Sequence, residues 1–169
     1  MIGLLRGTVK LENHSVEWEK NAADTIKILK EIFKDKAVDI QHVGSTSVTG
    51  LKAKPIIDIV VGVKSFEEIY DFIPELEKNG IVFRQQSDDH LFFVCGDMDK
   101  EIRTHHIHVA IYKGKKWDEY IKFRDTLNNN TEIRKEYEDL KVKLASDHAD
   151  DRESYTAMKA EFIQKNCNL

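Results

Sequence analysis

Cysteine is scarce in this chain of 169 residues: Cys95 and Cys167 are the only two, far apart and in no C-x-x-C spacing. That excludes a disulfide framework or a thiolate zinc site and suits a reducing, cytoplasmic compartment. A basic excess is missing too. The formal net charge of -4 argues against general nucleic-acid or anionic-membrane binding, both of which want a cationic surface. It leaves room for a local cationic pocket. No apolar run approaches the roughly 18 residues of a membrane span. The opening "MIGLLRGTVKLENH" has neither a long apolar core nor a cleavage-like site, so neither a signal peptide nor a transmembrane helix is expected. Repeats, low-complexity tracts and Pro/Gly/Ser-rich linkers are also lacking, so a single domain over residues 1–169 is expected. What is present is ordinary: 41% hydrophobic and 33% charged residues suit a soluble globular chain with a core.

"SVEWEKNAADTIKILKEIF" offers Ser15 as an N-cap and then Trp18, Ala22, Ile26, Leu29 and Phe33 at helical spacing. "AVDIQHV" and "PIIDIVVGV" read as strands, the second nearly continuous in β-branched residues, as a strand buried on both faces is. Ser65 with Glu68 resembles a capping box opening "SFEEIYDFIPELEKNG", a helix kinked at Pro74 and ended by Gly80. "IVFRQ", "HLFFVC" and "IRTHHIHVAIY" read as strands, the last two joined by a hairpin around Gly96-Asp97. Helical patterns follow over Lys116–Asn128, Thr131–Ser146 and Asp151–Lys165. This order predicts an α/β (α+β) sheet domain with an N-terminal helix and a C-terminal helical cap.

In "HVGSTSVTGLKAKPIIDIVVGV" a Gly-Ser turn precedes a lone carboxylate, Asp58, inside an apolar strand. A glycine at a strand end lets backbone N–H groups face an anion, and Ser and Thr hydroxyls add donors. Gly44, Ser45, Thr46 and Ser47 therefore qualify as a phosphate cradle; an ordinary turn with hydroxyl caps is the alternative. No G-K-[ST] follows, so this is not a Walker loop. An ionised Asp58 in an apolar strand costs several kcal/mol unless paired or metal-bound. A divalent cation bridging Asp58 to phosphates held by the turn satisfies both features.

The Gly-Ser pair followed by an acid in a β-branched strand resembles the nucleotidyltransferase superfamily of the DNA polymerase β type. More narrowly, "HVGSTSVTGLKAKPIIDIVVGV", "RTHHIHV", "KFRDTL" and "DDRESYTAMKAEFI" resemble the GrpB family, in this order, from about Val9 to about Ile163. The resemblance implies a nucleotidyltransferase-like mixed sheet and carries over Gly44, Ser45 and Asp58. It carries no further acid. Active members of the superfamily have D-h-[DE] plus a third acid, whereas Ile56 or Val60 stands where the second would be. That counts against two-metal transfer of the usual kind.

Along "THHIHVAIY", Thr104, His106, His108 and Ala110 share one face and His105, Ile107, Val109 and Ile111 the other. In the fold the resemblance implies, this strand lies where the third acid is usually supplied. His106 and His108 are therefore expected beside Asp58 as metal ligands, favouring Zn²⁺ or Mn²⁺ over Mg²⁺. The alternative is a pair that merely hydrogen-bonds in a polar cleft. A histidine triad is incomplete, because Thr104 stands where its first histidine belongs. His42 reads as a satisfied core or edge histidine, and His14, His90 and His148 as surface or loop residues.

Arg124 falls within the apolar stripe Trp117, Tyr120, Ile121, Leu127, and Arg152 and Lys159 within the stripe Tyr155, Phe162. Such cations normally face outward or snorkel. Three together over a Gly-Ser turn are read as inward charges that offset an anionic ligand. Salt bridges to Asp125 and Asp151 are the structural alternative, and Lys141 is a weaker candidate. Tyr137 reads as core. The function expected is binding of a nucleotide or another phosphorylated small molecule, with a divalent metal (Mg²⁺, Mn²⁺ or Zn²⁺). Catalysis, if present, would be nucleotidyl or phosphoryl transfer. A catalytically inactive nucleotide sensor or interaction module on the same fold is the alternative.

Overall fold

The computed structural model describes residues 2–148 and 152–167, apart from the side chain of Arg152. The first long element is α1 (Val16–Phe33), where Ser15 Oγ accepts the Glu17 N–H and Trp18, Ala22, Leu29, Ile32 and Phe33 are buried. It lies on one face of a five-stranded sheet. The strands are β2 (Ala37–Val43), β3 (Ile57–Val63), β4 (Val82–Ser87), β5 (His90–Cys95) and β7 (His105–Ile111), in the order β2-β3-β7-β5-β4. Only β3 and β7 pair in parallel; the other neighbours are antiparallel. The helices α4 (Lys115–Asn129), α5 (Thr131–Asp147) and α6 (Arg152–Asn166) follow.

Residue alternation divides the sheet between two hydrophobic layers. Ile57, Ile59, Val61, Ile107 and Val109 pack with Trp18, Leu29 and Phe33 of α1. Val43, Val60 and Ala110 pack against Trp117 of α4 on the opposite face. Strand β3 is thus covered on both sides, which accounts for its nearly continuous β-branched run. A third cluster joins Val48 and Leu51, from the segment after β2, to Phe123, Leu127 and Tyr137 of the helices.

Three local expectations are corrected. The stretch after Ser65 forms two short helices, α2 (Glu67–Tyr70) and α3 (Ile73–Lys78), not one kinked helix. Pro74 lies in the first turn of α3, where its missing N–H leaves no helical bond unmade. The Ser65–Glu68 capping box does not form. Ser65 Oγ accepts the Glu67 N–H at 3.3 Å and bonds the Glu67 carboxylate, while Glu68 pairs with Lys36 at 2.8 Å. The expected strand from Ile102 breaks at Thr104: β6 (Ile102–Arg103) pairs with β1 (Leu4–Leu5) in a separate two-stranded sheet.

Candidate functional site

The parallel register decides which side chains meet. Asp58 lies opposite His106, and Val60 opposite His108, so all four point to the face that α4 partly covers. Asp58 Oδ1 accepts from His106 Nδ1 at 3.2 Å and from His108 Nε2 at 3.1 Å. One ligand atom from each residue lies within 4.8 Å of the others, a spacing a single cation can bridge. Burial alone would raise the Asp58 carboxyl, but the hydrogen bonds and charge of His106 and His108 outweigh it and hold the group far below the usual range. Each imidazole now shares a proton with one oxygen. A divalent cation would replace those protons, so occupancy must compete with acid.

A second layer of contacts orients His108. Its Nδ1 faces the Tyr120 hydroxyl at 2.9 Å and His90 Nε2 at 3.0 Å. Phe92 stacks on the same ring at a centroid distance of 5.3 Å. Burial, more than the opposing Asp58 hydrogen bond can restore, lowers the His108 pKa. Burial also pushes His90 down to about 4. His90, expected as a surface or loop residue, therefore belongs to the site. On the opposite face His105 Nε2 meets Thr25 of α1 at 3.2 Å and takes no part.

The turn after β2 rests directly on Asp58. Gly44 has φ 71 and ψ -173, and a Cβ built there would stand 2.6 Å from Asp58 Oδ2. Only glycine fits. Ser45 beside it shares a hydrogen bond with Tyr137. Thr46 is buried, its hydroxyl 2.9 Å from His42 Nε2, and burial pushes His42 down to about 4. The Ser47 hydroxyl donates to the Gly44 carbonyl at 2.6 Å. Ser47 thus braces the turn rather than facing the cavity. The segment is also fastened to the helices, through the Asn128 amide to Thr49 and Ser47 and through the Lys52 N–H to Glu138 at 2.7 Å.

Two cavities adjoin Asp58. One, of about 190 Å³, is lined by Ser45, Asp58, His106 and three lysines, Lys54, Lys141 and Lys159. The other, of about 460 Å³, shares Ser45, Asp58 and Lys159 and adds Tyr120, Phe123, Tyr137 and Ile163. Lys54 and Lys159 flank the Tyr155 ring at 5.3 and 4.5 Å, and Lys141 lies 4.8 Å from the Tyr137 centroid. Lys141 is buried and donates to the Lys52 carbonyl. Burial, followed by the nearby Lys159, pushes its pKa down to about 7.

Arg124 does not line either cavity. It donates to Gln41 Oε1 at 2.6 Å and to the His42 carbonyl at 3.2 Å, and pairs with Asp125 at 2.8 Å. It clamps α4 to β2, so the structural alternative describes it. The Arg152 side chain and Asp151 lie outside the described residues. Lys54, in the segment before Pro55, joins the site without a signal in the sequence, because an isolated loop lysine carries no periodicity that marks it.

Residues 8–168 match the family model described as GrpB protein. The chain belongs to the GrpB family. Glutamate-rich protein GrpB of Alkalihalophilus pseudofirmus is 38% identical over 172 residues, covering 99% of each chain. UPF0157 protein BH1888 of Halalkalibacterium halodurans is 32% identical over 161 residues, covering 94% of this chain and 80% of its own. The crystal structure of GrpB from Enterococcus faecalis superposes with a TM-score of 0.83 at 27% identity, over 94% of this chain and 98% of that one. Beyond the GrpB family, Cid1 poly(U) polymerase with MgGTP bound gives a TM-score of 0.53 at 19% identity, over 79% of this chain and 44% of that one. That likeness is one of fold, a nucleotidyltransferase-like mixed α/β architecture. Among the described residues no helix is long and apolar enough to cross a membrane.

Proposed function

We propose that this GrpB-family chain binds a nucleotide, or a phosphorylated small molecule of similar shape, together with one divalent cation. The observation that carries the reading is the junction at Asp58. There a His-His-Asp donor set, a cavity ringed by three lysines and a cavity walled by Tyr120, Phe123 and Tyr137 share one wall. Phosphates suit the lysines and the amides of the Gly44–Ser45 turn. A planar base suits the aromatic cavity. Asp58, His106 and His108 would hold the cation, and their mixed nitrogen and oxygen donors favour Mn²⁺ or Zn²⁺. When bound, that ion supplies charge neutralisation at the phosphates. Structures of the similarly folded Cid1 hold MgGTP or the product ApU, which supports a nucleotide over other anions.

The reaction class this arrangement suits is nucleotidyl transfer: an acceptor oxygen bonds to phosphorus while pyrophosphate leaves. A second reading, an inactive nucleotide sensor, is favoured by one observation. Ile56 and Val60, the positions for a partner acid, are buried hydrocarbon, so Asp58 stands without a second carboxylate on its strand. A thermal-shift series of nucleoside triphosphates with Mn²⁺, Zn²⁺ or Mg²⁺ tests the binding. At about 100 times Kd a ligand adds about 2.7 kcal/mol, or roughly 5–11 °C for a chain of this size. No shift with any pair would overturn the reading, and pyrophosphate release separates a transferase from a sensor.

Lys141 gives the binding a pH signature. Its amine is charged below about 7 and neutral above, so affinity for phosphates is expected to fall as pH rises through about 7. The ligand's own phosphate ionisation runs the other way, which makes a net fall diagnostic. In the Lys141→Met protein the fall should vanish. By the same linkage, stability of the ligand-free protein should climb with pH between about 7 and the ordinary 10.5, because only the unfolded chain is protonated there. Calorimetric titrations at several pH values check both.

A further inference from the structure

A third cavity, of about 320 Å³, opens on the other side of His106 and has no role in the nucleotide reading. Its polar lining is Arg6, Arg84, Arg103, Gln85 and His106, with Phe92 and Val94 as an apolar floor. The strands explain the convergence. Phe92 and Val94 of β5 pair with His108 and His106 of β7, and Gln85 of β4 pairs with Phe92. These residues therefore share the sheet face that carries Asp58. The two-stranded sheet then brings Arg103 to the rim, and Arg6 follows directly after β1.

Arg84 Nη2 and Arg103 Nη1 each lie 2.9 Å from the same Met98 sulfur. A thioether is a weak acceptor, and two guanidiniums converge on this one. Arg6 is 3.4 Å from Glu101, but both side chains are largely exposed and such a pair contributes little. Among the described residues that line the cavity, none is acidic. An oxyanion placed among the three guanidiniums would accept several charge-assisted hydrogen bonds at once.

We propose that Arg6, Arg84 and Arg103 form a second oxyanion site, which holds the phosphate group of a second small molecule against His106. It deepens the nucleotide reading by assigning a place to the acceptor, and rests on that reading only for what the ligand does, not for its binding. His106 is the shared wall: it lines the lysine cavity on one side and the arginine cavity on the other. A molecule anchored by the guanidiniums therefore extends toward the metal-ligand set from the side opposite the lysines. The cavity has room for a phosphate and a few further atoms, and the Phe92 ring offers a surface for the non-ionic part.

Calorimetric titration with inorganic phosphate, without metal, tests the site. In a Lys54→Met/Lys159→Met protein phosphate binding should persist. Adding Arg84→Gln should weaken it roughly tenfold or more, the scale of a lost charge-assisted hydrogen bond. Arg84 is exposed, so Arg84→Gln should fold normally, as circular dichroism checks; Arg103→Gln provides the second, buried variant. Loss of all phosphate binding in the lysine variant, or indifference to Arg84→Gln, overturns the proposal. So does binding seen only with a single-stranded RNA oligomer and not with phosphate, which would make the arginines a nucleic-acid contact. The nucleotide-plus-metal thermal shift, run on Arg84→Gln alone, should be unchanged. If that shift is missing in the unaltered protein while arginine-dependent phosphate binding remains, the nucleotide reading fails and this one stands.

Discussion

The Asp58→Asn protein is expected to lose more than about 100-fold in affinity for Mn²⁺ or Zn²⁺, beyond the 10–100-fold that substituting an outer partner of a metal ligand costs. Asparagine keeps the shape but removes the charge on which two imidazoles converge at 3.1 and 3.2 Å. An amide oxygen still accepts a hydrogen bond, so the fold should survive and the loss is electrostatic. Titration followed by the electron paramagnetic resonance of free Mn²⁺ reads the affinity directly. Tyr120→Phe is the graded comparison: it removes one orienting contact on His108 Nδ1 and should fall within the 10–100-fold range of an outer partner. Metal affinity unchanged in Asp58→Asn would eliminate the site. If the protein catalyses transfer, pyrophosphate release should disappear in the same variant; a sensor has none to lose.

Gly44→Ala is expected to destabilise the fold by roughly 2–5 kcal/mol, combining backbone strain with overpacking. A methyl group at this position meets Asp58 Oδ2 at 2.6 Å and Asp58 Cβ at 2.9 Å, and neither can retreat. Oδ1 of the same carboxylate is held by two histidines, and Cβ is fixed to the central strand. Gly50→Ala is the internal control. Gly50 has a similar φ of 78 but open space around it, so its substitution carries strain without collision. Urea denaturation of both proteins separates the two terms. Equal losses would mean that the turn does not rest on Asp58, and the shared wall of the two cavities would be gone with it. Metal affinity should fall in Gly44→Ala and hold in Gly50→Ala, because only the former displaces the carboxylate.

Much of the architecture was legible because it is written in local periodicity. Alternation along "THHIHVAIY" separated His106 and His108 from His105, and the structure turns the first two toward Asp58 and the third toward Thr25. The nearly continuous β-branched run of β3 announced a strand covered on both faces. The helix pattern of α1 named Trp18, Ala22, Leu29 and Phe33, all buried, but it also named Ile26, which is half-buried, and passed over the buried Ile32. Where local signals compete, the pattern does not settle the structure. Pro74 has the position of a helix kink, but it lies in the first turn of a separate short helix. Glu68 had the spacing of a capping box, yet a lysine distant in sequence, Lys36, claimed its carboxylate.

Residue type and spacing alone determined most of the elements, the lone acid in its strand, the glycine before the hydroxyl-rich turn and the face to which each histidine of β7 points. These are properties of a backbone with fixed periods and of one residue that tolerates a forbidden angle. Tertiary structure alone decided the register that sets Asp58 opposite His106, the arrival of His90 behind His108 and the gathering of Lys54, Lys141 and Lys159 around one cavity. It also turned Arg124 away, to Gln41 and Asp125. Contacts between residues far apart in the chain depend on how strands slide and helices dock, and many arrangements share the same local pattern. Their selection comes from packing the whole core at once.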